Sequence, residues 1–175
     1  MSATSGRFPS MPLPESRISR AEPQDIPALV GLLGDLFSIE QDFVVDPTKQ
    51  RQGLWALLED PLRAVILVAR APRTEQAVGM VSLQILVSTA EGGHVGLVED
   101  LVIHPEWRGQ GIGAALLAEL QHWAQLRGLT RLQLLADQEN MPALGFYEHQ
   151  GWHRTHMICI RQPIPKPQEH AHGTL

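Results

Sequence analysis

Arg108-Gly109-Gln110-Gly111-Ile112-Gly113 is the stretch on which the reading of this chain turns. It follows the apolar run Val98-Glu99-Asp100-Leu101-Val102-Ile103 and leads into the apolar-periodic run from Ala114 to Leu126. That order describes a strand, a short link and a helix whose first turn carries almost no side chains. The first N–H groups of a helix lack internal acceptors, and the aligned peptide dipoles add partial positive charge there. A phosphate or pyrophosphate is the natural guest of such a turn. An ordinary helix start explains it poorly, because three glycines in five residues weaken a helix end that has no ligand to use them.

The elements on either side follow from periodicity and punctuation. The spacing predicts a helix over 114–127, closed by Gly128 as its cap. Upstream, Arg17-Ile18-Ser19-Arg20 reads as a short strand. Asp25-Ile26-Pro27 opens a helix with Leu29, Val30, Leu32, Leu33 and Leu36 on its apolar face. Asp46-Pro47 reads as the cap and first residue of a second helix, with Leu54, Leu57 and Leu58 as its stripe. Ala64–Ala69, Ala77–Val87 and His94–Ile103 are three successive strands separated by turn residues. Downstream, Arg131–Ala136 is a strand and Asn140-Met141-Pro142 starts a short helix ending near Gly151. Trp152–Ile160 returns as a strand or a pair of short strands. Hairpins come first and crossovers later, so the expectation is a mixed sheet with helices on both faces.

The 175 residues suit one domain. We expect an N-terminal arm over 1–15, a domain over 16–162, and a Pro- and His-containing tail over 163–175. The apolar fraction of 43 % is ordinary for a globular chain, and no apolar run reaches the roughly 20 residues that span a bilayer. The N-terminus lacks an apolar signal-like core. The net charge is −5 without a basic cluster, which argues against nucleic acid as a partner. The single cysteine, Cys159, is expected as a buried strand residue, and it excludes a disulfide framework within the chain, in keeping with a cytoplasmic location.

The glycine turn resembles the signature of the GCN5-related N-acetyltransferase (GNAT) superfamily, Gln/Arg-x-x-Gly-x-Gly/Ala at the start of the third helix. Arg108, Gly111 and Gly113 satisfy it. Glu99-Asp100-Leu101-Val102-Ile103-His104-Pro105 looks like the family's fourth strand and the proline after it. Asn140-x-x-Ala143-x-x-Phe146-Tyr147-Glu148-x-x-Gly151-Trp152 looks like its C-terminal pattern. Two motifs at the right separation are a strong signal where one would be weak. The resemblance implies an α/β (α+β) fold: a mixed, mostly antiparallel twisted sheet of six to seven strands, flanked by about four helices. In the family a bulge splays strands 4 and 5 apart.

The resemblance also implies a chemistry: transfer of an acetyl group from acetyl-CoA, as co-substrate, to a primary amine, by direct attack through a tetrahedral intermediate. Backbone amides from Gly109, Gln110, Gly111, Ile112, Gly113 and Ala114 would hold the pyrophosphate, with Arg108 among the cofactor-binding residues, and a β-carbon at Gly111 or Gly113 would crowd the phosphate oxygens. Leu101, Val102 and Ile103 would pair with the pantetheine arm as if it were a strand, and a main-chain N–H such as that of Val102 would support the oxyanion. Asn140 would hydrogen-bond the cofactor, or cap the last helix, or both. Tyr147, the only tyrosine, would protonate the departing thiolate, since a phenol keeps its proton at neutral pH.

An amine must lose a proton before it attacks, and a carboxylate can take it. Glu99 and Asp100 resemble the acidic pair of the diamine acetyltransferase branch. Glu99 is read as the base and Asp100 as an anchor for substrate charge. Consecutive strand residues face opposite ways, so both can serve only if the strand is distorted. His94 reads as an exposed turn residue, and Glu40, in Ser38-Ile39-Glu40-Gln41-Asp42-Phe43, as a solvated loop acid. His149, His153 and His156 with Cys159 fit no usual zinc spacing, so no metal is expected. The acceptor is a small-molecule or peptide amine of unspecified identity, and a homodimer is common among similar proteins. Two other readings remain: an acyl-CoA sensor without catalysis, and a nicotinamide-dependent oxidoreductase. Gly109-x-Gly111-x-x-Ala114 and Asp137 superficially suit the latter, but the five-residue link after the strand, the late position and the lack of a second nucleotide-binding half oppose it.

Overall fold

The computed structural model describes residues 17–40 and 42–165. The expected arm over 1–15, the domain start at Ser16, and the tail beyond residue 165 with His170 and His172 lie outside the described residues. A five-stranded sheet runs in the order β1 (Arg17–Arg20), β2 (Ala64–Arg70), β3 (Ala77–Ser88), β4 (Gly93–Ile103), β5 (Leu132–Leu134). The first three pairings are antiparallel and β4–β5 is parallel. The hairpins β2–β3 and β3–β4 need only short turns, whereas the parallel pair needs a crossover, which α3 (Ile112–Leu126) provides.

Alternation along β2 sets the layers. Val65, Leu67 and Ala69 face α3, packing with Leu116, Leu120 and Trp123. Ile66 and Val68 face the other way, against Ile26, Leu29 and Leu33 of α1 (Ile26–Phe37) and Leu54 of α2 (Pro47–Glu59). The sheet is thus covered on both faces, which is why β2 reads as a continuous apolar run. Asp46 caps α2 as its sequence predicts: Oδ1 accepts from the N–H of Thr48 at 3.1 Å and of Lys49 at 3.2 Å. The buried Arg70 guanidinium forms a fork on Asp25 at the start of α1, both contacts at 2.8 Å, and Nε donates to Ser19 Oγ at 3.0 Å. This pins the first helix to the paired strands β1 and β2.

Two expectations change. The sheet has five strands among the described residues, not six to seven. The run Trp152–Ile160 forms no ladder after α4 (Met141–His149), and Cys159 is exposed rather than buried. β-branched residues favour extended backbone, but a strand exists only where an edge accepts it. The nicotinamide reading also loses its scaffold, since a mostly antiparallel sheet has no doubly wound nucleotide crevice.

Candidate active site

The site grows from the place where β4 parts from β5. Gly96, Leu97 and Val98 pair with Leu132, Gln133 and Leu134, and there the pairing stops, while β4 runs on to Ile103. On the other side the register to β3 slips between Met80↔Val102 and Ser82↔Glu99. Asp100 and Leu101 therefore lie opposite the single residue Val81, which is a β-bulge. Asp100 sits at its bend with φ +51. A bulge turns the strand and re-aims its side chains. Glu99 and Asp100 consequently both meet side chains of β3, Gln84 and Ser82.

Beyond the bulge the ladder resumes. Val102 lies opposite Met80, and the N–H of His104 donates to the Val78 carbonyl at 2.9 Å. Antiparallel alternation turns the backbone polar groups of Val102 toward β3 and those of Leu101 and Ile103 toward the open edge. There the Ile103 carbonyl accepts from Arg108 Nε at 3.0 Å, which ties the glycine turn to the strand. Gly111 is the N-cap of α3 with φ +79, the left-handed region that an L side chain resists. No side chain caps this helix. The N–H groups of Ile112, Gly113 and Ala114 have no acceptor within the helix. Space in front of Gly109 and Gly111 is open, whereas a β-carbon on Gly113 would stand 3.3 Å from Phe146 Cζ. Gly113 thus also permits the close approach of α3 to α4.

The titratable groups converge on the same cleft. Burial pushes the Asp100 carboxyl up to about 6, with Glu99 adding to the rise and Ser82 opposing it. Ser82 Oγ donates to Asp100 Oδ2 at 3.1 Å. Glu99 is exposed and accepts from Gln84 Nε2 at 3.2 Å. Burial pushes the Tyr147 phenol up to about 12, and the charge of Glu40 adds to it. The Glu40 carboxyl is itself raised, first by burial, then by Asp100 and Asp137. The Phe146 and Trp152 rings flank Tyr147, with centroids 5.3 and 6.0 Å away. Asn140 caps α4, its Oδ1 accepting from the Ala143 N–H at 3.1 Å. No group of three metal-ligating side chains occurs among the described residues.

A model of the GNAT acetyltransferase family matches residues 32–152. This chain belongs to the GNAT acetyltransferases. An aminoalkylphosphonate N-acetyltransferase of Salmonella typhimurium is 28 % identical over 144 residues, covering 82 % of this chain and 89 % of that one. A solved integron cassette protein from the mobile metagenome of Cole Harbour Salt Marsh superposes with TM-score 0.73 at 25 % identity, over 92 % of this chain and 98 % of that one. The glucosamine-6-phosphate N-acetyltransferase of Arabidopsis thaliana shares the fold, with TM-score 0.67 at 20 % identity, over 83 % and 97 %. The GNAT family and its named relative support an N-acetyltransferase.

The GNAT cleft also holds residues that sequence reasoning undervalued. Glu40 belongs to the site's electrostatics, and Arg161 lies beside it, lowering the Glu40 carboxyl and stacking 4.8 Å over Phe43. Ser82 and Gln84 hold the two acids from β3. None of these four belongs to a local motif, so no spacing rule marks them. His94 and Glu99 are exposed, as is Cys159.

Proposed function

We propose that this GNAT protein moves an acetyl group from acetyl-CoA to a primary amine, by direct attack and without a covalent acyl-enzyme. The observation that carries the reading is the edge of β4 from Glu99 to Ile103, released from β5 and bulged at Asp100. It offers unpaired backbone to an extended arm, and the uncapped α3 terminus stands just beyond its end. The pyrophosphate then sits on the amides from Gly109 to Ala114, with Arg108 and Gln110 on the rim. The pantetheine arm pairs with Leu101 and Ile103, whose polar groups face the opening. Val102 supports that edge from its ladder with β3, so the N–H of Leu101 is the better oxyanion donor.

Asp100 suits proton removal from the acceptor amine, because a base works best with a pKa close to the working pH. Glu99, open to solvent, relays that proton and attracts the cationic amine. Tyr147 keeps its proton well above neutrality and donates it to the thiolate. Asn140 holds the start of α4, and hence Tyr147, in place. Alignment of two bound substrates supplies much of the rate gain. The test is a thiol-release screen with acetyl-CoA against varied amines. Aminoalkylphosphonates come first, since the Salmonella relative bears that name. Release of CoA thiol only when a primary amine is present is the expected result. Acetyl-CoA binding with no release for any amine would favour the sensor reading instead.

A further inference from the structure

The chain leaving α4 crosses from one bank of the cleft to the other. On the α4 side Trp152 packs beside Tyr147, and Arg154 pairs with Glu148 at 3.2 Å. On the α1 side the Arg161 guanidinium lies 4.8 Å over the Phe43 ring and 3.8 Å from the Asp42 carboxylate. Residues 153–160, between these anchors, are exposed. Their backbone makes one hydrogen bond among the described residues, from the Met157 N–H to Thr155 Oγ1 at 3.3 Å. The run is thus a strap held mainly at its ends.

The far anchor has the composition of a cation seat. Phe37 stacks on Phe43 with centroids 5.2 Å apart, which fixes that ring. The negative face of an aromatic ring attracts a cation, and carboxylates beside it add to the attraction. Asp42 supplies one carboxylate and Glu40 a second. Burial raises the Glu40 carboxyl, Asp100, Asp137 and Asp42 add to the rise, and Arg161 opposes it. One negative field therefore reaches from the seat to the bulge of β4. Arg161 fills the seat loosely, with its side chain 50 % exposed and that of Asp42 82 % exposed. An ion pair so open to water contributes little to stability, so another cation can take its place.

The inference rests on the acetyl-transfer reading above. We propose that Phe43, Asp42 and Glu40 form a subsite for a second positive charge on the acceptor, that Arg161 occupies it when no acceptor is bound, and that dicationic amines bind by displacing Arg161. Such an acceptor presents one amine at Asp100 and its other cation at Phe43. An anionic tail meets carboxylates there and is disfavoured.

Two experiments on the full chain separate the subsite from the transfer reaction. The first is a calorimetric titration with an alkane chain that bears a quaternary ammonium at each end and cannot be acetylated. We expect saturable binding, weakened roughly tenfold by Asp42→Asn or Phe43→Leu and strengthened by Arg161→Gln, with Arg161→Lys close to the wild type. If Phe43→Leu fails to fold, the exposed Asp42→Asn carries the same test. Trypsin should cut after Arg161 faster when this probe is bound. The second experiment follows thiol release from acetyl-CoA with pentylamine and with the diamine and aminoalkylphosphonate of the same chain length. The diamine should exceed pentylamine in kcat/KM by roughly tenfold, the phosphonate should fall below both, and Asp42→Asn should erase the diamine's advantage by raising its KM. Equal, measurable rates for the diamine and pentylamine would overturn the proposal. So would a probe that does not bind, that binds Arg161→Gln no more tightly than the wild type, or that leaves cleavage after Arg161 unchanged. Thiol release absent with every amine, while the probe binds as expected, would sink the transfer reading and leave the subsite standing.

Discussion

At the scale of single residues, the bulge at Asp100 underlies most of the proposed chemistry. Two adjacent acids on a regular strand would face opposite layers, but the bend brings both beside β3, with Asp100 half-buried and Glu99 exposed. The half-buried Asp100 is held up to about 6. With Asp100 as the proposed base, active in its ionised form, acetyl transfer should rise with pH through a limb near that value. Asp100→Asn should erase the limb and lower kcat/KM by roughly 100-fold or more, whereas Glu99→Gln should keep it. A pH–rate series on the two variants decides between them, and the reverse pattern would return the base to Glu99. Tyr147→Phe should lower kcat by about 100-fold with acetyl-CoA affinity retained, because in the proposed mechanism the lost group donates a proton and does not hold the cofactor. Stopped-flow thiol release together with equilibrium titration reads both quantities.

At the scale of elements, the tip of α3 is the feature to break. A valine at Gly111 must adopt a left-handed backbone, which costs about 1–2 kcal/mol, and its branches project in front of the bare amides. Gly111→Val should therefore abolish the thermal stabilisation that acetyl-CoA confers, while lowering the melting temperature of the free protein by only a few degrees. A normal acetyl-CoA shift in this variant would remove the pyrophosphate assignment. The elements themselves were largely visible beforehand. Asp46 before Pro47 and Gly128 after Arg127 marked helix ends because capping is local chemistry, and Gly128 has the expected positive φ of +69. The start of α3 at Ile112 rather than Ala114, and the shrinking of β5 to three residues, were not visible. The first depends on the left-handed cap at Gly111 and the second on where β4 stops pairing with β5.

At the scale of the whole molecule, the Arg70–Asp25 fork joins the start of α1 to the end of β2 in the sheet. Burial alone would raise the Asp25 carboxyl, but the Arg70 fork and the Glu22 N–H outweigh it and hold the group below the usual carboxylate range. A depressed carboxyl contributes stability that is complete above its unfolded-state value and is lost as pH falls through the folded value. Asp25→Ala leaves Arg70 buried without its counter-charge, so it should cost about 3–5 kcal/mol at neutral pH. The loss should shrink in acid, where wild-type Asp25 is itself protonated. Thermal melts of both proteins from neutral to acidic pH should converge, and parallel curves would show that the pair does not govern acid stability.

The sequence by itself determined the order of the elements, the caps and the glycine turn before α3, because each depends on residues within a few positions of one another. It also marked Glu99, Asp100, Asn140 and Tyr147 as residues to watch, through two motifs rather than through geometry. Only the tertiary structure decided which backbone groups of β4 face the opening, since a bulge reverses the alternation and leaves no mark in composition. It likewise brought Glu40 and Arg161 to the cleft from distant parts of the chain, and left residues 155–162 without a sheet. Burial, charge proximity and strand pairing are properties of neighbours in space, and a linear pattern does not name those neighbours.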